Sequence, residues 1–308
     1  MKRFAIIAAL ALLPLVAGAQ NTSKEEYLRR YSNLVERVGS AGVGVETLLD
    51  KWEADYPDDV QQMLARFSFL FARSQTSQVI QLEKDRYLGN EPVLAMTDSL
   101  GKKCNFFEDT VYDDELYAAA NLSIDKAISA QSWRLDYRFM KLNAMLAYEK
   151  ESPDMTLQQL KALVDEHYTR HPAWVFEGVE KVGNEEFEAF MQDYCAVLFR
   201  LGSDTSMDAF RGLSEHILKY SKNNPLFMDN VGSYWLVKKD YKKAAKQFDA
   251  VLKKHPDDLT AIKNGILMAR SQKDTKLEKK YLALLARYGQ TEQERASAQA
   301  RLNGLGGK

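Results

Sequence analysis

An internal repeat constrains the fold of this chain more than any other feature. The stretch beginning at Pro225 recurs 34 residues on, in the stretch beginning at Leu259. At that shift Met228 meets Ile262, Val231 meets Gly265, Gly232 meets Ile266, Phe248 meets Leu282 and Val251 meets Leu285. Each pair is apolar or small, and the spacing is that of a helix core face. A unit of this length holds two amphipathic helices and cannot bury its own apolar face. Copies must therefore stack on one another.

Residues 240–258, DYKKAAKQFDAVLKKHPDD, carry the pattern most clearly. Ala244, Phe248, Val251 and Pro256 form a series of small residue, aromatic, apolar residue and proline. Val231, Gly232 and Trp235 occupy packing positions of the preceding helix. This arrangement resembles the tetratricopeptide repeat (TPR) family, and DYKKA resembles its turn between helices. The resemblance implies an all-α solenoid of degenerate helical hairpins. In it, small residues permit close helix approach, the aromatic fills the gap between units and proline sets the next turn.

The resemblance is clear over 225–290 and partial over 24–72 and 115–150; between these it is assumed. Ala120, Ile124 and Ala127 repeat the spacing, with Ser132 in place of proline, and Val45, Leu49 and Trp52 do so before Pro57. Leu135 to Pro225 is not a multiple of the period, so insertions or irregular helices intervene. Glu278 stands where a small residue belongs and Gln290 where proline belongs, which marks a capping unit or a departure from the pattern.

The first residues, MKRFAIIAALALLPLVAGAQ, read as a secretory signal peptide over 1–19. Lys2 and Arg3 precede an apolar run that is short for a membrane span, and Ala17-Gly18-Ala19 is a small-residue cleavage site. The expected mature protein is exported, periplasmic or secreted in a gram-negative-type cell envelope, with no membrane span. Losing Lys2 and Arg3 takes the formal net charge from -1 to -3. Neither a nucleic-acid partner nor an anionic membrane surface is suggested. Cys104 and Cys195 could pair in an oxidising compartment, but Cys195 in FMQDYCAVLF reads as a buried free thiol.

Helical spacing predicts an N-terminal hairpin and a third helix over 24–73, with Asp58 or Asp59 as the third helix's cap. Residues 74–114 contain Gly, Pro and the turn-like TDSLGKK between VLAMT and CNFFE, which predicts a small β-hairpin insertion. TPR-like helical repeats are expected over 115–290. A weakly apolar helix and a flexible tail are expected over 291–308.

No catalytic, cofactor-binding or metal-ligating set emerges. His167 and His171 are four residues apart, but no glutamate lies between them in the metalloprotease arrangement and Pro172 ends the helix, so packing or surface roles are expected. Asp113-Asp114 and Asp257-Asp258 sit at helix starts and read as caps. GSAGVG follows a helix rather than a strand, so it reads as a loop. NTS at 21–23 and NLS at 121–123 fit the glycosylation sequon, relevant only in a eukaryotic secretory pathway.

The TPR resemblance implies that the first helix of each unit lines a groove for a protein or peptide partner. Carried over by position, the groove candidates are Asp136, Phe139 and Asn143; Asp229, Ser233 and Leu236; and Lys263, Leu267 and Arg270. The expected function is a non-catalytic binding scaffold. The alternatives are a glycan-binding accessory protein, which requires exposed Trp133, Trp174 or Trp235 clustered on one face, and an enzyme on a helical scaffold.

Overall fold

The computed structural model describes residues 22–176 and 181–306. The expected signal peptide, Asn21 of the first sequon and the last two residues lie outside the described residues. Helices α1 (Lys24–Val38), α2 (Val45–Asp55) and α3 (Val60–Arg73) come first. Strands β1 (Gln75–Leu82), β2 (Leu94–Thr97) and β3 (Lys103–Tyr112) follow. The chain then continues through α4 (Asp114–Ala130), α5 (Leu135–Glu149), α6 (Asp154–Arg170), α7 (Asn184–Leu201) and α8 (Asp204–Ile217). It ends with α9 (Pro225–Val237), α10 (Tyr241–Lys254), α11 (Leu259–Ser271), α12 (Thr275–Tyr288) and α13 (Glu292–Gly306).

Short polar side chains start most of these helices. Ser23, Asp59, Asp113, Ser203, Asn224, Asp240, Asp258 and Asp274 each accept a hydrogen bond from a first-turn amide. Each such cap contributes about 1 kcal/mol. Asp113 and Asp258 are thus occupied by capping, as their positions predicted. Asp59, rather than Asp58, caps α3.

The core is built from one residue series used six times. Every even-numbered helix from α2 to α12 places residues i, i+4 and i+7 inward. The series is Val45, Leu49, Trp52; Ala120, Ile124, Ala127; Thr156, Leu160, Leu163; Ser206, Phe210, Leu213; Ala244, Phe248, Val251; and Glu278, Leu282, Leu285. All are buried except Leu285, which is half-buried. The small or short first residue lets the preceding helix approach. Where glutamate takes that position, Glu278 is held by Arg270 at 2.8 Å and Arg301 at 3.1 Å. A buried carboxylate is tolerated only with such partners.

Packing runs along the chain. Most helices pack on their neighbours in sequence, and α1 also touches α3, α6 touches α8, α7 touches α9 and α9 touches α11. Helix α6 meets α7 through side chains, His167 with Phe187 and Asn184 and Tyr168 with Glu188. The buried residues form successive clusters. One centres on Tyr27 and Trp52, and the next on Phe67, Ile124 and Tyr137. A third reaches from Leu135 to Tyr234, and the last from Ala244 to Ala298. Half-buried Trp235 packs on both of the last two.

The 34-residue shift holds in the backbone of the last two hairpins. Lys239 and Lys273 take positive φ of 59° and 57°, and the following Asp240 and Asp274 donate to the Trp235 and Ala269 carbonyls at 2.9 Å each. Side-chain packing slips by one residue. Gly232 lies under Phe248, whereas the next close approach is Gly265 under Tyr281, 33 residues on in each case. With Glu278 in the small-residue position, the ring at the closest approach comes from a neighbouring position of the helix.

Two expectations are corrected. Residues 74–114 hold a three-stranded antiparallel sheet of order β1-β3-β2, not a hairpin alone. The expected β2–β3 pairing is present, with Met96 opposite Cys104. β1 pairs along β3 from Gln75–Tyr112 to Leu82–Asn105. The sequence QTSQVIQL hides this strand, because its partner lies beyond a long connection and no turn signal links them. The sheet is inserted between α3 and α4, which pack on each other like the other hairpin pairs. Phe107 and Asp109 of β3 are buried, and Asp109 accepts from Tyr87, Gln78 and Lys150, tying the sheet to the end of α5. At the other end, α13 continues through Gly304 to Gly306, where a flexible tail was expected.

Candidate functional site

Helices α5 and α7 face each other across a cleft of about 380 Å³. On α5, Asp136, Phe139, Asn143 and Leu146 recur every three or four residues, so they share a face. On α7, Phe190, Asp193, Tyr194 and Val197 do the same. Phe176, between α6 and α7, completes an aromatic floor. Its ring centroid lies 4.7 Å from Phe190 and 5.9 Å from Phe139, and Phe139 stands 5.2 Å from Phe190 and 5.7 Å from Tyr194. The tilted and edge-to-face geometries are those that aromatic quadrupoles favour. The Tyr194 hydroxyl donates to Asn143 Oδ1 at 3.0 Å. Asp136 accepts from Arg134 at 2.9 and 2.5 Å.

The structure thus brings Asp136, Phe139 and Asn143 into one concave site. A second cleft, of about 320 Å³ between α11 and α13, gathers Lys263, Leu267 and Arg270. There the charges are already engaged: Lys263 pairs with Glu294 at 2.7 Å, and Arg270 pairs with Glu278. Leu267 is exposed.

The third set does not form an open surface, which corrects the expectation for it. Asp229 is 3% exposed, Ser233 accepts from Asn264 Nδ2 at 3.1 Å, and Leu236 packs into the last core cluster. Helix α9 touches α7, α8, α10 and α11, so its expected groove face is covered by protein. Burial is the first cause of the weakened acidity of Asp229, with the Asp258 carboxylate adding repulsion; the pKa of the carboxyl is pushed up to about 8.

Other singled-out residues have packing roles. His167 stacks on Phe187 at 3.8 Å and meets Asn184 through Nε2, and burial lowers its basicity. His171 ends α6 in the left-handed conformation. Cys104 and Cys195 are free thiols. Cys195 is buried, and desolvation pushes its thiol up to about 12. Asn121 of the second sequon donates to the Tyr117 carbonyl within α4. Trp133 is exposed, Trp174 is buried and Trp235 is half-buried beneath Lys243, so the three do not form one exposed aromatic face. Among the described residues, no group of three His, Cys, Asp or Glu is placed to hold a metal ion, and no helix is long and apolar enough to cross a membrane.

Sequence reasoning missed Phe176, Phe190, Asp193, Tyr194 and Val197. The periodicity of EEFEAFMQDYCAVLF was visible, but it marks only one broad apolar face. Which part of that face meets α5 and which meets the α8 core is set by how the helices cross.

No family model matches the chain, and no curated protein matches it. A solved structure described as the functional characterization of Pseudomonas aeruginosa pilF is similar at 11% sequence identity, covering 90% of this chain and 96% of that one, with a TM-score of 0.34. A likeness of that degree does not establish a shared fold.

Proposed function

We propose that this chain is a non-catalytic scaffold of the cell envelope that binds protein or peptide segments through the clefts of a TPR-like solenoid. The observation that carries this reading is the α5–α7 cleft. It is concave and apolar at its floor, polar at its rim, and formed by the first helices of consecutive hairpins. Clefts between helices are common ligand sites, and an apolar floor with a few polar groups suits a short extended segment. The repeated inward series on α2 to α12 supports the solenoid, since each hairpin buries its face only against its neighbours. The leader-like N-terminus supports export to the periplasm or beyond.

Affinity capture from cell-envelope extract tests the reading. The purified protein is compared with Asn143→Arg, which fills the cleft, and with Lys246→Glu on the exposed face of α10. The expected outcome is a partner retained by wild type and Lys246→Glu and lost by Asn143→Arg. An identical partner set for all three refutes the cleft as the binding site. Export is checked by fractionation and N-terminal sequencing, with a mature start at Gln20 expected; a chain that keeps Met1 in the cytoplasm refutes it.

A further inference from the structure

We infer that the α5–α7 cleft selects peptide segments carrying an arginine or lysine beside an apolar side chain. This rests on the peptide-binding reading above and adds the chemistry of the ligand. The lining contains two carboxylates, Asp136 and Asp193, and no lysine or arginine. The two carboxylates are not equivalent. Asp136 is held by Arg134, whereas Asp193 is exposed and makes no hydrogen bond or ion pair among the described residues. Among the described residues, one carboxylate therefore stands without an ion-pair partner at the rim of an aromatic floor.

That combination is complementary to a cation with an apolar stem. A guanidinium or ammonium group is drawn both to a carboxylate and to the faces of aromatic rings. Long basic side chains also lay their methylenes along apolar surface while the head stays wet. Phe139, Phe176, Phe190 and Tyr194 supply the rings, and the remaining floor, Leu146 and Val197, suits an adjacent aliphatic side chain. Asn143 spends its Oδ1 on the Tyr194 hydroxyl, so its amide nitrogen, which has no partner among the described residues, is left to donate to a peptide carbonyl. The space of about 380 Å³ holds one or two side chains rather than a folded domain. An acidic segment would instead meet Asp193 without a counter-charge.

A phage-displayed random dodecapeptide library, selected on the purified protein, provides the probe. Selected peptides are resynthesised with a fluorophore and measured by anisotropy against wild type and Asp193→Lys. The substitution is at an exposed position and leaves the core untouched. The expected result is enrichment of peptides with Arg or Lys next to Leu, Ile, Val or Phe, and roughly tenfold weaker binding to Asp193→Lys, with affinity falling as salt rises. Enriched peptides without a basic residue, or binding unchanged in Asp193→Lys, overturn the inference while the peptide-binding reading stands. No enrichment of any peptide overturns both. A concentration-dependent dimer that Asp193→Lys dissociates would put a second copy in the cleft and also overturn the inference.

Discussion

Gly232 lies directly beneath the Phe248 ring. A Cβ placed on it would stand 2.4 Å from Cε1, 2.8 Å from Cδ1 and 3.0 Å from Cζ of that ring. Phe248 is fully buried among Ala244, Val251 and Ile262, so the ring has no free space to enter. Gly232→Ala therefore sets two effects against each other. Alanine is favoured over glycine inside a helix by about 1 kcal/mol. Forcing an extra carbon into a packed core costs about 1–3 kcal/mol through displaced rotamers and backbone. With a contact as short as 2.4 Å the second effect is expected to win, leaving a net loss of up to about 2 kcal/mol. In urea denaturation followed by circular dichroism, the midpoint should fall. Gly304→Ala is the internal control: it lies in α13 with nothing within 4 Å of an added Cβ, so only the helix preference acts and stability should rise. Gly232→Ala combined with Phe248→Leu should lose less than the two single losses added together. If Gly232→Ala is as stable as wild type, or more so, close approach of α9 and α10 is not what this glycine provides.

Two further predictions follow from buried ionisable groups. Asp229 keeps its proton in the folded protein to about pH 8, whereas an unfolded aspartate loses it near pH 4. Its contribution is fully present below the unfolded value and is lost as pH rises towards 8, so Asp229→Asn should gain on wild type with rising pH, by about 1 kcal/mol or more at pH 8. Equal stability differences at pH 5 and pH 8 by thermal melts would remove the buried carboxyl from the explanation. Cys195, buried with its thiol pushed up to about 12, should resist a thiol reagent in the native protein, while half-exposed Cys104 reacts. Native titration should therefore count one thiol and denatured titration two; two fast native thiols would contradict the packing around Cys195.

Much of the fold was legible because its information is local. The caps at Asp113 and Asp258 and the turn at Lys239-Asp240 each depend on residues a few positions apart. The series Ala244, Phe248, Val251 is readable for the same reason. Thr156, Leu160, Leu163 and Ser206, Phe210, Leu213 follow the same rule, but threonine and serine are not recognisable as tightly packed residues until a partner helix covers them. The candidate site was legible by half. Asp136, Phe139 and Asn143 share one face of α5 by their spacing and line one cleft, yet the opposite wall on α7 depends on a crossing that no local pattern encodes.

The sequence by itself determined the helical periods, their caps and the close-approach glycine at Gly232, because each is a property of neighbouring residues. The tertiary structure decided which faces stay open. Asp229 and Asp193 are both aspartates on amphipathic helices, and nothing nearby in sequence separates them. Asp229 is enclosed because α7, α8, α10 and α11 all touch its helix, so water is excluded and its carboxyl holds a proton. Asp193 is exposed at the mouth of an aromatic cleft, because among the described residues α5 and α7 leave a gap there.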